Sequence, residues 1–322
     1  MTPDADDYRA PWWLPGAHLQ TIWPLARTAA PPAFRRERWD TPDGDFIDLD
    51  WLAGGDAGAP LVALFHGLEG SSRSHYARAL MRALAARGWR GVVPHFRGCS
   101  GEANRLLRAY HSGDSAEIDW ILRRLRAQAG SAPLFVVGVS LGGNALLKWL
   151  GEREAAACEL VRAAAAVCPP LDLTISGHAL ARGFNRVYTR HFLASLKHKA
   201  LAKHHRHPGA LDAARIRAAR TLFDFDDAYT GPVHGFAGAA DYWRRASARP
   251  WLGAIRVPSL LLSARNDPFV PSAALPAPGE LSTALRFECP SGGGHVGFLV
   301  PPWPGHGGWL PQRLLAHFDR ER

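Results

Sequence analysis

The chain has 322 residues, of which 47% are hydrophobic and 21% are charged, and its formal net charge is +9. These proportions are ordinary for a globular protein and exclude a disordered, collagen-like or coiled-coil chain. The basic residues, nearly all of them arginines, are scattered along the sequence rather than clustered, so we expect no nucleic-acid partner.

Residues 1–35 form an arm rich in proline and tryptophan, whose prolines disfavour a long helix. Trp12, Trp13 and Trp23 are predicted to pack on the body of the protein, and contact with lipid or with an acyl pocket is the alternative. The arm opens with acidic residues and lacks the basic and apolar run of a targeting signal. We expect no transmembrane segment and at most peripheral contact with a membrane.

From residue 61 onward, short apolar runs alternate with amphipathic segments. The apolar runs predict buried strands at 61–65, 91–94, 134–137, 163–167, 259–262 and 285–288. The amphipathic segments predict helices at 74–87, 114–129, 144–154 and 311–320. This alternation indicates an α/β fold: a single domain over 1–322 with a mostly parallel sheet and helices on both of its faces.

The alternation is interrupted at 171–250, a polar helical stretch that predicts a helical cap inserted between two strands. Its basic patch contains three histidines that could hold a metal, namely His204, His205 and His207. Because no acidic or cysteine residue flanks them, a solvated helix face is the preferred interpretation, and we expect no metal or other cofactor. Asp226 and Asp227 are predicted to anchor the cap rather than to act in catalysis.

The motif GVSLG at residues 138–142 lies between a predicted strand and a predicted helix. A serine in such a turn, with glycines two residues to either side, is typical of a nucleophile elbow, which raises the serine hydroxyl above the carboxyl edge of a parallel sheet. Ser140 is therefore the candidate nucleophile.

A serine nucleophile needs an imidazole as base and a carboxylate that orients the imidazole. His295 is preferred as the base, because it follows the last predicted strand in a glycine-rich loop; His306 and His317 lie in a turn and on the closing helix. Asp267, directly after the strand 259–262, is preferred as the acid, and Asp172, after the strand 163–167, is the alternative.

Acyl transfer also needs backbone N–H groups that stabilise the developing oxyanion. Leu141, the residue after the nucleophile, is expected to supply one, and Leu68, in the HGLEG motif after the first apolar run, the other. The four cysteines form no CxxC pair, which favours reduced thiols and a cytoplasmic location. Cys99 is interpreted either as a thiol in the pocket or as a small buried side chain.

With these residues, the chain resembles the YheT-like family of α/β-hydrolases. The resemblance is carried by motifs at residues 13–21, 66–71, 96–104, 110–113, 138–144, 225–227, 265–268 and 294–298. It implies an α/β-hydrolase fold and a serine hydrolase of carboxylic esters, with Ser140, Asp267 and His295 as the catalytic triad.

The substrates that the resemblance implies are small acyl esters of short to medium chain length, acylglycerols or phospholipids. The N-terminal membrane anchor of the mammalian relatives is not expected in this chain, which argues against a phospholipid within a bilayer. Two alternatives remain open: an acyltransferase that uses the same acyl-enzyme, and a non-catalytic protein that binds a lipid or a partner.

Overall fold

Eight strands form one sheet in a computed structural model that describes residues 8–27 and 30–322. The strands are β1 (Phe34–Asp40), β2 (Phe46–Leu52), β3 (Leu61–Phe65), β4 (Arg90–Pro94), β5 (Leu134–Val139), β6 (Ala163–Val167), β7 (Ser259–Leu262) and β8 (Leu285–Glu288). Their order across the sheet is β1-β2-β4-β3-β5-β6-β7-β8. Strands β3 to β8 run parallel, whereas β2 pairs antiparallel with both β1 and β4.

The helices are α1 (Gly16–Ala26), α2 (His75–Ala86), α3 (Ser115–Ala129), α4 (Leu141–Arg153), α5 (Leu173–Leu180), α6 (Asn185–Arg206), α7 (Ala213–Ala218), α8 (Leu222–Phe225), α9 (Gly231–Val233), α10 (Ala239–Ala246) and α11 (Trp309–Asp319). The predicted strands and helices are all present, with boundaries that differ by at most three residues. The largest difference is at α4, which begins directly after Ser140.

The hairpin of β1 and β2 was not predicted. Its first strand carries mostly charged residues, and Trp39 is its one buried side chain. A strand at the edge of a sheet needs few apolar residues, so its hydrophobic pattern is weak.

The central strand β5 shows why the sheet is covered on both faces. Leu134 and Val136 pack in one cluster with residues of α3 and α4, and Phe135 and Val137 pack in the other with residues of α2 and α11. Successive side chains of a strand point to opposite faces, so a strand buried on both faces is apolar throughout. The α/β fold predicted from the sequence is confirmed.

Helices α5 to α10 lie between β6 and β7, in the stretch predicted as the cap. They supply the buried residues of two apolar clusters, and in a third Leu180 packs with residues that follow β7. Asp226 accepts a hydrogen bond from the indole N–H of Trp243 at 2.8 Å, and Asp227 accepts one from the backbone N–H of Ala239 at 3.0 Å. Both aspartates therefore connect segments between β6 and β7 to each other.

The arm contains the helix α1, and Pro24 lies near the carboxyl end of this helix. The rings of Trp13 and Trp23 each lie within 6 Å of the ring of Trp303, at 5.7 and 5.8 Å between centroids. Trp12, in contrast, is 87% exposed, so the prediction of packing on the body is wrong for this residue. Within residues 8–27 and 30–322, no helix combines the length and the apolar character needed to cross a bilayer.

Candidate active site

Ser140 occupies the turn between β5 and α4 with φ 53° and ψ −119°. This conformation is strained for a residue with a side chain and persists because the flanking strand and helix fix it. A Cβ atom on Gly142 would lie 2.5 Å from the carbonyl oxygen of Phe65, and one on Gly138 would lie 2.5 Å from the carbonyl oxygen of Gly142. The turn thus requires glycine at both positions and has the backbone geometry of a nucleophile elbow.

The hydroxyl of Ser140 is the first member of a chain of three hydrogen-bonded side chains. His295 Nε2 lies 2.9 Å from Ser140 Oγ, and His295 Nδ1 lies 2.8 Å from Asp267 Oδ2. The other carboxylate oxygen of Asp267 accepts from the backbone N–H groups of Phe269 at 2.8 Å and Val270 at 3.2 Å. Because an ionised carboxylate only accepts, Nδ1 carries the imidazole proton, and Nε2 is free to accept the proton of the serine hydroxyl.

The alternative acid and the two alternative histidines have other contacts. Asp172 caps α5 by accepting from the backbone N–H three residues later at 3.0 Å. His306 accepts from the backbone N–H two residues later at 3.3 Å, and His317 donates to the carbonyl of Ala164 at 3.0 Å. The structure therefore brings Asp267 and His295, rather than these three residues, to Ser140.

The loop that carries His295 is held by two polar residues of α1 that sequence reasoning missed. Thr21 Oγ1 accepts from the backbone N–H of His295 at 2.9 Å. Gln20 Oε1 accepts from the backbone N–H of Gly293 at 2.8 Å and from the side-chain amide of Asn266 at 2.9 Å. Their place in the motif at 13–21 was the signal that could have identified them.

Three more contacts fix the same loop. Asn266 Oδ1 accepts from the backbone N–H of Gly294 at 2.9 Å, and His75 Nε2 donates to the carbonyl of Val296 at 3.0 Å. The backbone of α1 approaches so closely that a Cβ atom on Gly297 would overlap the carbonyl oxygen of Gln20. The arm is thus part of the support of the site.

The two residues predicted for the oxyanion hole, Leu68 and Leu141, both line the cavity next to Ser140. Leu141 is the first residue of α4, and the first N–H groups of a helix have no acceptor within the helix. The N–H groups on either side of Leu68 donate to the hydroxyls of Tyr76 and Tyr110, each at 2.9 Å. In the described part of the chain, the N–H of Leu68 has no such acceptor, which is what an oxyanion donor requires.

Hydrogen bonds of His66 fix the conformation of the loop that contains Leu68. The backbone N–H of Phe96 donates to His66 Nε2 at 3.1 Å, so Nδ1 carries the proton and donates to the carbonyl of Gly67 at 2.8 Å. Burial lowers the pKa of His66 to about 3, which keeps this ring neutral. His66 therefore orients the loop and carries no charge near the site.

Glu69, directly after Leu68, connects this loop to the cap. The residue has a φ of 56°, and its carboxylate accepts from Tyr110 and Lys199, each at 2.8 Å, and from Ser195. Ser195 and Lys199 are one turn apart on α6. Cys99 lies beside them, 3.6 Å from Lys199 Nζ, and burial raises the pKa of its thiol to about 12, so it is a neutral thiol that lines the cavity.

A cavity of about 860 Å³ opens onto Ser140 and His295. Its walls are supplied by α1, the loop of Leu68 and the cap. About half of the lining residues are aliphatic or aromatic, among them Ile22, Leu25, Leu173, Leu180, Phe192, Leu196, Phe225 and Trp243. Such a cavity has the size and character of a site for a small organic ligand.

The predicted basic patch does not bring its histidines together as metal ligands. Among the described residues, the one group of three potential ligand atoms that lie within 4.8 Å of one another is formed by Cys168, Asp267 and His295. Two of these atoms are already hydrogen-bonded to each other, and burial raises the pKa of the Cys168 thiol well above its usual value. This donor set suits proton transfer better than metal binding, which needs a thiolate.

A serine in a strand–helix turn, with histidine and aspartate from the loops after the last strands of a parallel sheet, is the arrangement of α/β-hydrolases. A family model described as alpha/beta hydrolase fold matches residues 60–302. The chain therefore belongs to the α/β-hydrolase fold family and, within it, to the YheT-like group that its motifs resemble.

The relatives agree with this assignment. The protein named "Putative esterase YheT" of Escherichia coli (strain K12) is 41% identical over 302 residues, which cover 92% of this chain and 88% of that one. The protein named "Phospholipase ABHD3" of Homo sapiens is 27% identical over 306 residues, covering 92% and 74%. The solved structure of the esterase Pf2001 of Pyrococcus furiosus has a TM-score of 0.56 at 16% identity, covers 90% of this chain and 91% of that one, and is similar in fold alone.

Proposed function

We propose that this protein is a serine hydrolase that cleaves carboxylic esters through a covalent acyl-enzyme. The observation that carries the proposal is the unbroken chain of hydrogen bonds from Asp267 through His295 to Ser140, whose hydroxyl meets an apolar cavity. The names of the relatives, an esterase and a phospholipase, support the same chemistry.

The reaction takes place in two steps. In the first step, His295 Nε2 removes the hydroxyl proton while Ser140 Oγ attacks the ester carbonyl, and the N–H groups of Leu68 and Leu141 stabilise the oxyanion. The imidazolium, stabilised by Asp267, then gives its proton to the leaving alcohol, and the acyl-enzyme remains. In the second step, His295 removes a proton from water, which attacks the acyl group, and the proton returns to Ser140 as the acid leaves.

The cavity favours esters with an apolar acyl chain. Aliphatic and aromatic side chains of the cap line the same cavity as Ser140, and burial of an apolar chain against them contributes about 0.8 kcal/mol per methylene group. We therefore propose acyl esters of short to medium chain length as substrates. Hydrolysis of a series of nitrophenyl esters with increasing chain length should show kcat/KM rising with each methylene until the cavity is filled.

The test of the nucleophile is Ser140→Ala. The variant should lose nitrophenyl-ester hydrolysis and its adduct with a fluorophosphonate probe, because within residues 8–27 and 30–322 Ser140 supplies the one hydroxyl that is hydrogen-bonded to His295 Nε2. The matched control is Ser282→Ala, which removes a buried hydroxyl that has no hydrogen-bond partner in the described part of the chain. If Ser140→Ala retained full turnover, or if the wild-type protein gave no adduct, the proposed function would be wrong.

A further inference from the structure

Two polar side chains of α1 are buried, and three of its apolar side chains are exposed. Gln20 and Thr21 are 8% and 7% exposed, whereas Leu19, Ile22 and Leu25 are 46%, 39% and 62% exposed. The usual surface helix shows the opposite arrangement. The inward face is explained by the hydrogen bonds to the loop of His295, and the outward face has no explanation within the described part of the chain.

The exposed side chains of α1 continue into a larger surface. We call this surface the apolar rim, and it consists of Trp12, Leu19, Ile22, Leu25, Phe184, Val187 and Trp303, which are between 39% and 87% exposed. The ring of His18 joins the arm to the cap, since its centroid lies 4.5 Å from that of Phe184 and its Nδ1 lies 3.1 Å from the hydroxyl of Tyr188.

Part of the apolar rim also lines the cavity. Ile22, Leu25 and Val187 are exposed and, at the same time, line the cavity that contains Ser140. A continuous apolar path therefore leads from the outer surface to the nucleophile. Exposed apolar surface of this kind marks a site of interaction.

The charged residues within the segments that form the apolar rim are of one sign. The three segments that form it, residues 8–27, 173–206 and 290–318, contain no aspartate and no glutamate. Arg186 and Arg190 lie on α6 next to Phe184 and Val187, both are exposed, and neither has an ion-pair partner among the described residues. The surface is thus apolar at its centre and cationic at its edge.

We propose that the apolar rim binds the surface of an anionic lipid assembly, so that α1 and the start of α6 lie in its interface. Tryptophan is favoured at the boundary between lipid headgroups and acyl chains, apolar side chains insert beside it, and arginines bind anionic headgroups. A protein seated on the rim would cover the mouth of the cavity, whereas a lipid surface can deliver an apolar molecule into it. The binding itself does not depend on the proposed ester hydrolysis.

The experiment measures co-sedimentation of the full chain with vesicles of phosphatidylcholine alone and with vesicles of equimolar phosphatidylcholine and phosphatidylglycerol. The wild-type protein should bind the mixed vesicles more strongly. The double variant Leu19→Ser with Phe184→Ser should bind both kinds about tenfold more weakly, because two exposed apolar side chains no longer insert. Neither residue lines the cavity, so hydrolysis of a short, soluble nitrophenyl ester should be unchanged and reports that the variant is folded.

Two further variants separate the parts of the interaction. Arg186→Gln and Arg190→Gln should each weaken binding to the mixed vesicles about fivefold and leave binding to phosphatidylcholine alone unchanged. The matched control is Trp251→Ser, since Trp251 is 36% exposed but packs on Gly151, near the carboxyl end of α4 and away from the rim. This control should bind like the wild-type protein.

Three results would overturn the proposal. The first is a wild-type protein that binds neither kind of vesicle, and the second is a rim variant that binds as strongly as the wild-type protein. The third is a wild-type dimer in size-exclusion chromatography that Leu19→Ser with Phe184→Ser converts to a monomer, which would show that a second copy of the chain covers the rim. If the wild-type protein bound vesicles but hydrolysed no ester, the proposed function would be refuted and the proposal of lipid binding would stand.

Discussion

Replacing Thr21 by valine removes the hydroxyl that accepts a hydrogen bond from the loop of the proposed base. Valine has nearly the same shape as threonine, so the packing of α1 is retained. Thr21 Oγ1 accepts from the backbone N–H of His295 at 2.9 Å and donates to the carbonyl of Ala17 at 2.8 Å. The variant leaves the N–H of His295 without its acceptor.

The size of the effect follows from the cost of that unpaired group. A buried N–H without an acceptor costs about 1–3 kcal/mol. The loop can avoid this cost only by moving away from α1. If the displaced loop is favoured by about 1–3 kcal/mol, the fraction of molecules with His295 in reach of Ser140 falls by a factor of about 5 to 150. Because Gln20, Asn266 and His75 still hold the neighbouring residues, we expect a value near the lower end, about tenfold.

The assay is steady-state hydrolysis of a soluble nitrophenyl ester, well below the melting temperature of the variant. The reduction should be in kcat, with KM nearly unchanged, because Thr21→Val affects the position of the base more than the binding of the acyl chain. Thr21→Ser retains the hydroxyl and should restore most of the activity. If Thr21→Val lost thermal stability but kept the kcat of the wild-type protein, Thr21 would have only a structural role, and the argument would be refuted.

Three more predictions follow from other contacts of the site. Asp267→Asn should lower kcat by roughly 10³–10⁴-fold at an unchanged melting temperature, because the amide favours the wrong tautomer of His295; a loss below tenfold in steady-state kinetics would contradict this role. Glu69→Gln should lower kcat about tenfold, since the loop of Leu68 loses its ionic contact with the cap, and equal kcat in the same assay would contradict it. Burial lowers the pKa of Lys203 to about 7, so the stability of Lys203→Met relative to the wild-type protein should be highest below pH 7. Denaturant titrations should show this difference falling by roughly 3 kcal/mol between pH 7 and pH 10, because over that range the folded lysine is neutral and the unfolded lysine is still protonated. The hydrogen bonds that Lys203 donates to the carbonyls of Leu107 and Arg108 are lost at every pH, so a difference that is constant with pH would be the contrary result.

The two faces of α1 allow the proposals to be tested separately. Thr21, on the inward face, should affect hydrolysis of a soluble ester, whereas Leu19, on the outward face, should affect only binding to vesicles. The two residues are two positions apart in the chain, so opposite results from them cannot come from a general loss of the helix.

Local patterns in the sequence were sufficient to predict the central part of the fold. Strands buried on both faces, such as β5, are short apolar runs, and the elbow at Ser140 needs glycines at fixed spacing. Both features depend on residues that are adjacent in the chain, so their physical causes are present in a single segment. The strand β1 escaped prediction because it lies at the edge of the sheet and therefore needs few apolar residues. The strand β2 is buried, but Asp48 and Asp50, which pair with arginines of β1, interrupt its apolar pattern.

Only the tertiary structure decided which distant residues meet at the site. Asp172 and Asp267 both follow a strand, and the choice between them depends on how β6, β7 and the loop of His295 are arranged in space. Gln20 lies 273 residues before the Gly293 that it contacts, and no local pattern carries that information. The same is true of α1: the prolines of the arm argued against a long helix, and only the folded chain determines which side chains of α1 are buried, because that depends on what the helix packs against.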